Sequence, residues 1–231
     1  MKIFREIKRS LFREFKFRNR SIDQETFIVL DTETTGLNPI LGDKIVSIAC
    51  VKVKSNKIKK NGSINQLIDP ERLIPRRSSK IHGIMDGDVE GKPTITAYEK
   101  IMSKFIGTNS IVGHNIEFDI NFLQSSLKST QLSKLISKNP IIDTLLLSSA
   151  LFPNYKSHEL SFLCNKFDID TSKYQRHTAW GDTLMTAKLF IYLVKIIRKK
   201  NINNLYELIR FSNQAKHIKQ LQRESFGPHI K

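Results

Sequence analysis

The sequence holds little cysteine. Its two thiols, Cys50 and Cys164, lie far apart in apolar surroundings. That excludes a disulfide-dense scaffold and reads as two reduced core residues in a reducing compartment. Long apolar runs are missing as well: none approaches the roughly 18 residues of a membrane-spanning helix. The N-terminus is basic but lacks the continuous apolar segment of a secretory signal, so a cytoplasmic protein is expected. There is no internal repeat and no low-complexity segment. Acids are scarce relative to bases: 22 Asp and Glu stand against 38 Lys and Arg in 231 residues, a formal net charge of +16. Such a surplus favours a polyanionic partner, nucleic acid first, although charge alone specifies no chemistry. The length suffices for one domain with a full core plus extensions.

What is present falls into three parts. Residues 1–24 form a basic arm: eight Lys or Arg occur in the first 20 positions, with Ile3, Phe4, Ile7, Leu11, Phe12 and Phe15 at near-helical spacing. This predicts a basic amphipathic helix that packs on the domain, tracks nucleic acid, fills a partner's groove or lies on a membrane surface. Residues 25–200 read as a mixed α/β domain. Three strands joined by short links, at 26–31, 44–54 and roughly 58–68, are expected to pair antiparallel. A loop with one short helical turn and a helix over 95–106, capped by Gly107, come next. Strands at 110–115 and 140–144 alternate with helices opening near Glu117, at Leu145 and at His158, and a long helix covers roughly 179–199. Residues 201–231 are expected to add one more helix and then a basic tail whose last dozen residues are poorly ordered.

The chemistry centres on Asp31-Thr32-Glu33-Thr34-Thr35-Gly36-Leu37, which follows the apolar run Phe27-Ile28-Val29-Leu30. Side chains alternate along a strand, so Asp31 and Glu33 face the same way. At ~4 Å and an effective dielectric of about 20, two carboxylates repel by roughly 4 kcal/mol, and hydrogen bonds, protonation or a metal must relieve that. Thr34-Thr35-Gly36 reads as a turn with free backbone N–H groups suited to an anion or a chain end. Asp119 falls in the first turn of its helix, where the helix dipole alone also favours an acid. His177 and Asp182 are five apart. On one continuous helix they would point about 140° apart, so sharing a site requires the helix to begin between them.

Taken together, Asp31, Glu33, Asp119 and Asp182, with His177, resemble the DnaQ-like 3′–5′ exonucleases of the DEDDh type, relatives of the proofreading epsilon subunit of DNA polymerase III. The resemblance spans roughly 25–200. It rests on Asp31 to Leu37, on Val112-Gly113-His114-Asn115-Ile116-Glu117-Phe118-Asp119 and on Arg176-His177-Thr178-Ala179-Trp180-Gly181-Asp182, with lesser matches at Ile81-His82-Gly83-Ile84 and Ile142-Asp143-Thr144. Trp180-Gly181 is the least standard part of the third block. The resemblance implies a ribonuclease H-like mixed five-stranded sheet, three strands antiparallel and two parallel, flanked by helices. It implies two divalent cations, Mg²⁺ or Mn²⁺, held by the four acids, and His177 as general base. It also implies substrate contacts from Thr34, Thr35, Gly36, Leu37, His82, Asn115 and Phe118, although Phe118 fits a core position equally well. Asp143 would support the acids from behind; His114 and His158 read as structural. The implied activity is hydrolysis of single-stranded nucleic-acid 3′ ends to nucleoside 5′-monophosphates, by a free-standing enzyme or by the proofreading subunit of a DNA polymerase. A non-catalytic nucleic-acid-binding module is the remaining alternative. Four ionised acids would repel strongly without metal, so some are expected to hold protons in the metal-free protein.

Overall fold

Phe27–Leu30 is apolar without alternation because its strand is covered on both faces. Phe27 and Val29 join one core with Met185, Leu189, Phe190 and Leu193. Ile28 and Leu30 join a second core with Met102, Ile106, Phe122 and Leu123. A sheet between two helical layers follows directly. In this computed structural model, which describes residue 17 and residues 20–226, the strands are β1 (Thr26–Thr34), β2 (Ile45–Lys54), β3 (Lys57–Leu67), β4 (Ser110–Gly113) and β5 (Ile141–Asp143). Their order in one five-stranded sheet is β3-β2-β1-β4-β5. β1 pairs antiparallel with β2, and β2 with β3; β1 pairs parallel with β4, and β4 with β5. This is the mixed α/β architecture that the element order predicts.

The helices are α1 (Arg76–His82), α2 (Asp86–Val89), α3 (Ile95–Ile106), α4 (Glu117–Ser126), α5 (Gln131–Ile136), α6 (Thr144–Leu151), α7 (Leu160–Lys166), α8 (Ala179–Lys199) and α9 (Leu205–Phe226), with a 3₁₀ turn at Pro39–Leu41. α8 packs across β1, β2 and β3. Among the described residues, no helix is long and apolar enough to cross a membrane.

Four features differ from the sequence reading. β1 continues past Asp31 to Thr34, because Asp31 pairs with Ala49 and Glu33 with Ser47 of β2 before the register shifts after Glu33. The acids therefore lie inside the strand. α5 was not anticipated: its six residues are too few for periodicity to register, yet Leu132 and Ile136 are buried and the Thr130 hydroxyl caps it by accepting the Ser133 N–H. The segment between β3 and α3 holds two short helices, not one turn. At the far end α9 runs on through Phe226 where a tail was expected, with Leu205 and Leu208 in the same core as α8. Residues 1–16, 18 and 19, which carry most of the amphipathic helix expected of the basic arm, lie outside the described residues, as does the end of the chain from 227.

Candidate active site

The site forms where β1 leaves the sheet. Asp31 and Glu33 continue the face begun by Phe27 and Val29, the face on which α8 packs. Asp182, in the first turn of α8, meets them there. One oxygen from each of Asp31, Glu33 and Asp182 falls within 4.8 Å of the others. Asp119 arrives from the opposite layer, in the first turn of α4. Its Oδ1 accepts the Thr32 N–H at 2.9 Å and the Thr32 hydroxyl at 2.6 Å. Thr32 points to the face away from Asp31, so this clamp fastens α4 to the strand and fixes the fourth acid beside the other three.

α8 begins after His177, as a shared site requires. Thr178 is the N-cap, and its hydroxyl accepts the Gly181 N–H. His177 has a left-handed backbone, φ +57°, and is exposed. Gly181 allows the turn to fold back. A Cβ there would lie 1.9 Å from the Gln175 carbonyl oxygen and 2.8 Å from Thr178 Oγ1. His177 consequently lines one cavity of about 520 Å³ with Asp31, Asp182, His114 and Arg176.

Burial and mutual repulsion set the charges. Asp31 is held well above the usual carboxylate range, chiefly by burial, then by Asp119, Asp182 and Glu33, with Arg176 opposing. Burial and the Asp182 and Asp119 carboxylates push Glu33 up to about 8. Burial pushes Asp119 up to about 7 against the lowering effect of the Thr32 hydrogen bonds. The metal-free site thus takes up protons near neutral pH.

A second cavity, about 440 Å³, opens beside Glu33 and is lined by Thr34, Gly36, Leu37, His82 and Phe118 among others. Five of the seven residues matched to substrate contacts meet here. Thr35 does not: it is fully buried, its N–H donates to the Lys44 carbonyl at 2.8 Å, and its hydroxyl contacts Asp43 and accepts the Lys44 N–H. The supposed free N–H of the turn is therefore taken up by the chain returning into β2. Asn115 lines neither cavity. It makes the left-handed turn into α4, φ +62°, and gives its N–H to Asp143 Oδ1 at 2.9 Å. Asp143 also caps α6 through the Leu145 N–H, and its charge acts on Asp119. His114 bonds Thr144 Oγ1 at 2.9 Å but forms part of the first cavity's wall, and burial lowers its pKa to about 4. Burial also lowers His82.

Sequence reasoning missed Arg176, which ion-pairs with Asp182, and Asp43. The Asp43 carboxylate fills the space beside Gly36, where a Cβ would lie 2.3 Å from Oδ2, and accepts the Asn38 N–H at 3.0 Å. Arg176 stood inside the third motif, next to His177. Asp43 carried no signal apart from a glycine before it.

The donor set suits divalent cations: three converging carboxylates, a fourth alongside, and Asp182 Oδ1 buried without a hydrogen-bond partner among the described residues. Acids converging at the end of the central strand β1, with His177 and His114 lining the same cavity, define a candidate cation-binding site in a mixed α/β fold. The comparisons agree. Residues 28–190 match the Exonuclease (RNase_T) family model. A DNA polymerase III subunit epsilon of Rickettsia typhi is 36% identical over 189 residues, 77% of this chain and 81% of the relative. An epsilon-like protein of Rhodobacter capsulatus is 36% identical over 184 residues, 78% of this chain, which spans only 25% of that relative's length. In fold, the chain superposes on Exonuclease X in complex with 5′ overhanging duplex DNA with a TM-score of 0.62 at 24% identity, covering 80% of this chain and 99% of that one. The chain belongs to the exonuclease family, and within it to the DnaQ-like group that its motifs resemble.

Proposed function

We propose that this chain is a metal-dependent 3′–5′ exonuclease that removes nucleoside 5′-monophosphates from single-stranded nucleic-acid 3′ ends. One observation carries the reading: Asp31, Glu33 and Asp182 bring carboxylate oxygens within 4.8 Å of one another, with His177 lining the same cavity as Asp31 and Asp182. Asp31, Glu33, Asp119 and Asp182 would hold two divalent cations, Mg²⁺ or Mn²⁺. When bound, these supply Lewis acidity and charge neutralisation at the scissile phosphate. The chain's own groups do the rest. His177 takes a proton from the attacking water on a ring nitrogen, acting as general base. Its exposed turn lets it approach once a chain end is seated. The cavity beside Glu33 receives the terminal nucleotide, with Leu37 and Phe118 as apolar walls for a base and Thr34, Gly36 and His82 around the sugar and phosphate. Thr35 is buried beside this pocket, and Asn115 turns the chain into α4, which carries Phe118.

A digestion panel tests the proposal: 3′- and 5′-labelled single-stranded DNA, duplex DNA and short RNA, with Mg²⁺ or Mn²⁺ and with EDTA. Metal-dependent release of mononucleotides from the 3′ end supports it; metal-independent cleavage or 5′ release overturns it. A second reading is favoured by the epsilon relative matched over 81% of its length. In it, the chain is the proofreading subunit of a replicative DNA polymerase, docked through the basic arm or the segment after Lys200. Co-purification with a polymerase catalytic subunit distinguishes the two.

A further inference from the structure

Asp182 is 7% exposed, and its two oxygens have different surroundings. Oδ2 is ion-paired with Arg176 Nη1; Oδ1 is buried and has no hydrogen-bond partner among the described residues. Arg176 is anchored from its other side as well, since its Nε donates to Ser161 Oγ on α7 at 2.8 Å. The turn that carries it is held to the start of α8 by three bonds. The Thr178 hydroxyl donates to the Gln175 carbonyl at 2.8 Å, Gly181 N–H donates to that hydroxyl at 3.1 Å, and Asp182 N–H donates to the Thr178 carbonyl at 2.9 Å. The guanidinium is thus placed by backbone and by a neighbouring helix, unlike an exposed arginine free to swing. It borders the same cavity as Asp31 and His177.

We infer that Arg176 is a positioning residue acting as the built-in counter-cation of the metal-free site: it holds Asp182 by Oδ2, leaves the buried Oδ1 without a partner among the described residues, and competes with divalent cations for the charge of the acid cluster. The inference rests on the reading of Asp31, Glu33 and Asp182 as a cation site. Two effects of opposite sign follow. A positive charge fixed beside crowded acids makes the empty site easier to fold. The same charge repels each incoming ion, so the affinity of the site is set below what its carboxylates alone would give. Ordinary packing residues do not behave this way, since their loss weakens both the fold and the site.

The test uses the full chain with Arg176→Gln and Arg176→Met, both uncharged, and Arg176→Lys, which keeps the charge. Mn²⁺ binding is read from the electron paramagnetic resonance signal of the free ion, and metal-free stability from the melting temperature in EDTA at pH 8. The uncharged variants are expected to bind Mn²⁺ about threefold or more tightly while melting lower than wild type in EDTA. Arg176→Lys is expected to bind Mn²⁺ within about twofold of wild type. Unchanged or weaker Mn²⁺ binding in the uncharged variants overturns the counter-cation role. Absence of Mn²⁺ binding in wild type overturns the cation-site reading itself, so the two failures are distinguishable.

Discussion

Replacing Glu33 by glutamine should make the metal-free protein more stable while disabling it. Burial and the Asp182 and Asp119 carboxylates raise Glu33 from its ordinary 4.5 to about 8. A carboxyl raised by folding binds its proton more tightly in the native state. Its contribution is therefore fully present below about 4.5 and is lost as pH rises toward and through about 8. One pK unit corresponds to about 1.4 kcal/mol, so this group alone accounts for at most about 5 kcal/mol across that window. Asp31 and Asp119, raised for the same reasons, steepen the slope. Glutamine is a permanently neutral stand-in of the same shape. Metal-free Glu33→Gln should match wild type near pH 5 and exceed it at pH 8. For a chain of this size a stabilisation of 1 kcal/mol shifts the melting temperature by about 2–4 °C. Even a third of the maximum gives a rise of roughly 3–7 °C in EDTA. Saturating Mn²⁺ should reverse the order, because wild type gains binding free energy that the variant lacks. Thermal denaturation followed by circular dichroism between pH 5 and 8.5 reads all of this. A variant that melts below wild type at pH 8 in EDTA, or runs parallel to it at every pH, refutes the reasoning.

Other substitutions probe separate parts of the site. Asp31→Ala should cut turnover by at least about 10²–10³-fold with the fold intact by circular dichroism; full activity would contradict the assignment. His177→Ala should lose turnover to a similar degree yet bind Mn²⁺ as wild type does, because its side chain is exposed on the turn before α8. Gly181→Ala places a Cβ against the Gln175 carbonyl, so it should cost about 1–3 kcal/mol of stability and lower kcat more than KM, measured on a single-stranded oligonucleotide. Thr32→Val removes the hydroxyl half of the Asp119 clamp while leaving the amide half. It should destabilise by about 1 kcal/mol in urea unfolding.

Much of this site was legible because its logic is local. The two-residue period of a strand puts Asp31 and Glu33 on one face without knowledge of the fold. The five-residue interval from His177 to Asp182 forces a helix start between them, which Thr178 provides. What escaped depended on partners remote in sequence. Thr32 and Asp119 are 87 residues apart, and nothing near either announces the bond. Thr35 looks like a free turn residue until Lys44 returns to pair with it. The left-handed turn at Asn115, held by its N–H to Asp143, likewise depends on a residue 28 positions away. Trp180-Gly181 is the least standard part of its motif, and the need for glycine at 181 appears only when Gln175 is seen packed against it. The strand itself outran its apolar signal, since pairing with β2 holds Asp31 and Glu33 in extended form despite their charge.

The claim beneath all of this is that acids distant in sequence act as one cation site. Titrating wild type and Asp31→Asn with Mn²⁺, with bound ion counted by electron paramagnetic resonance, tests it most directly. Wild type should bind Mn²⁺ and the variant should lose or greatly weaken that binding, although Glu33 and Asp182 remain in place. Equal binding by both proteins, or none by wild type, would contradict the account.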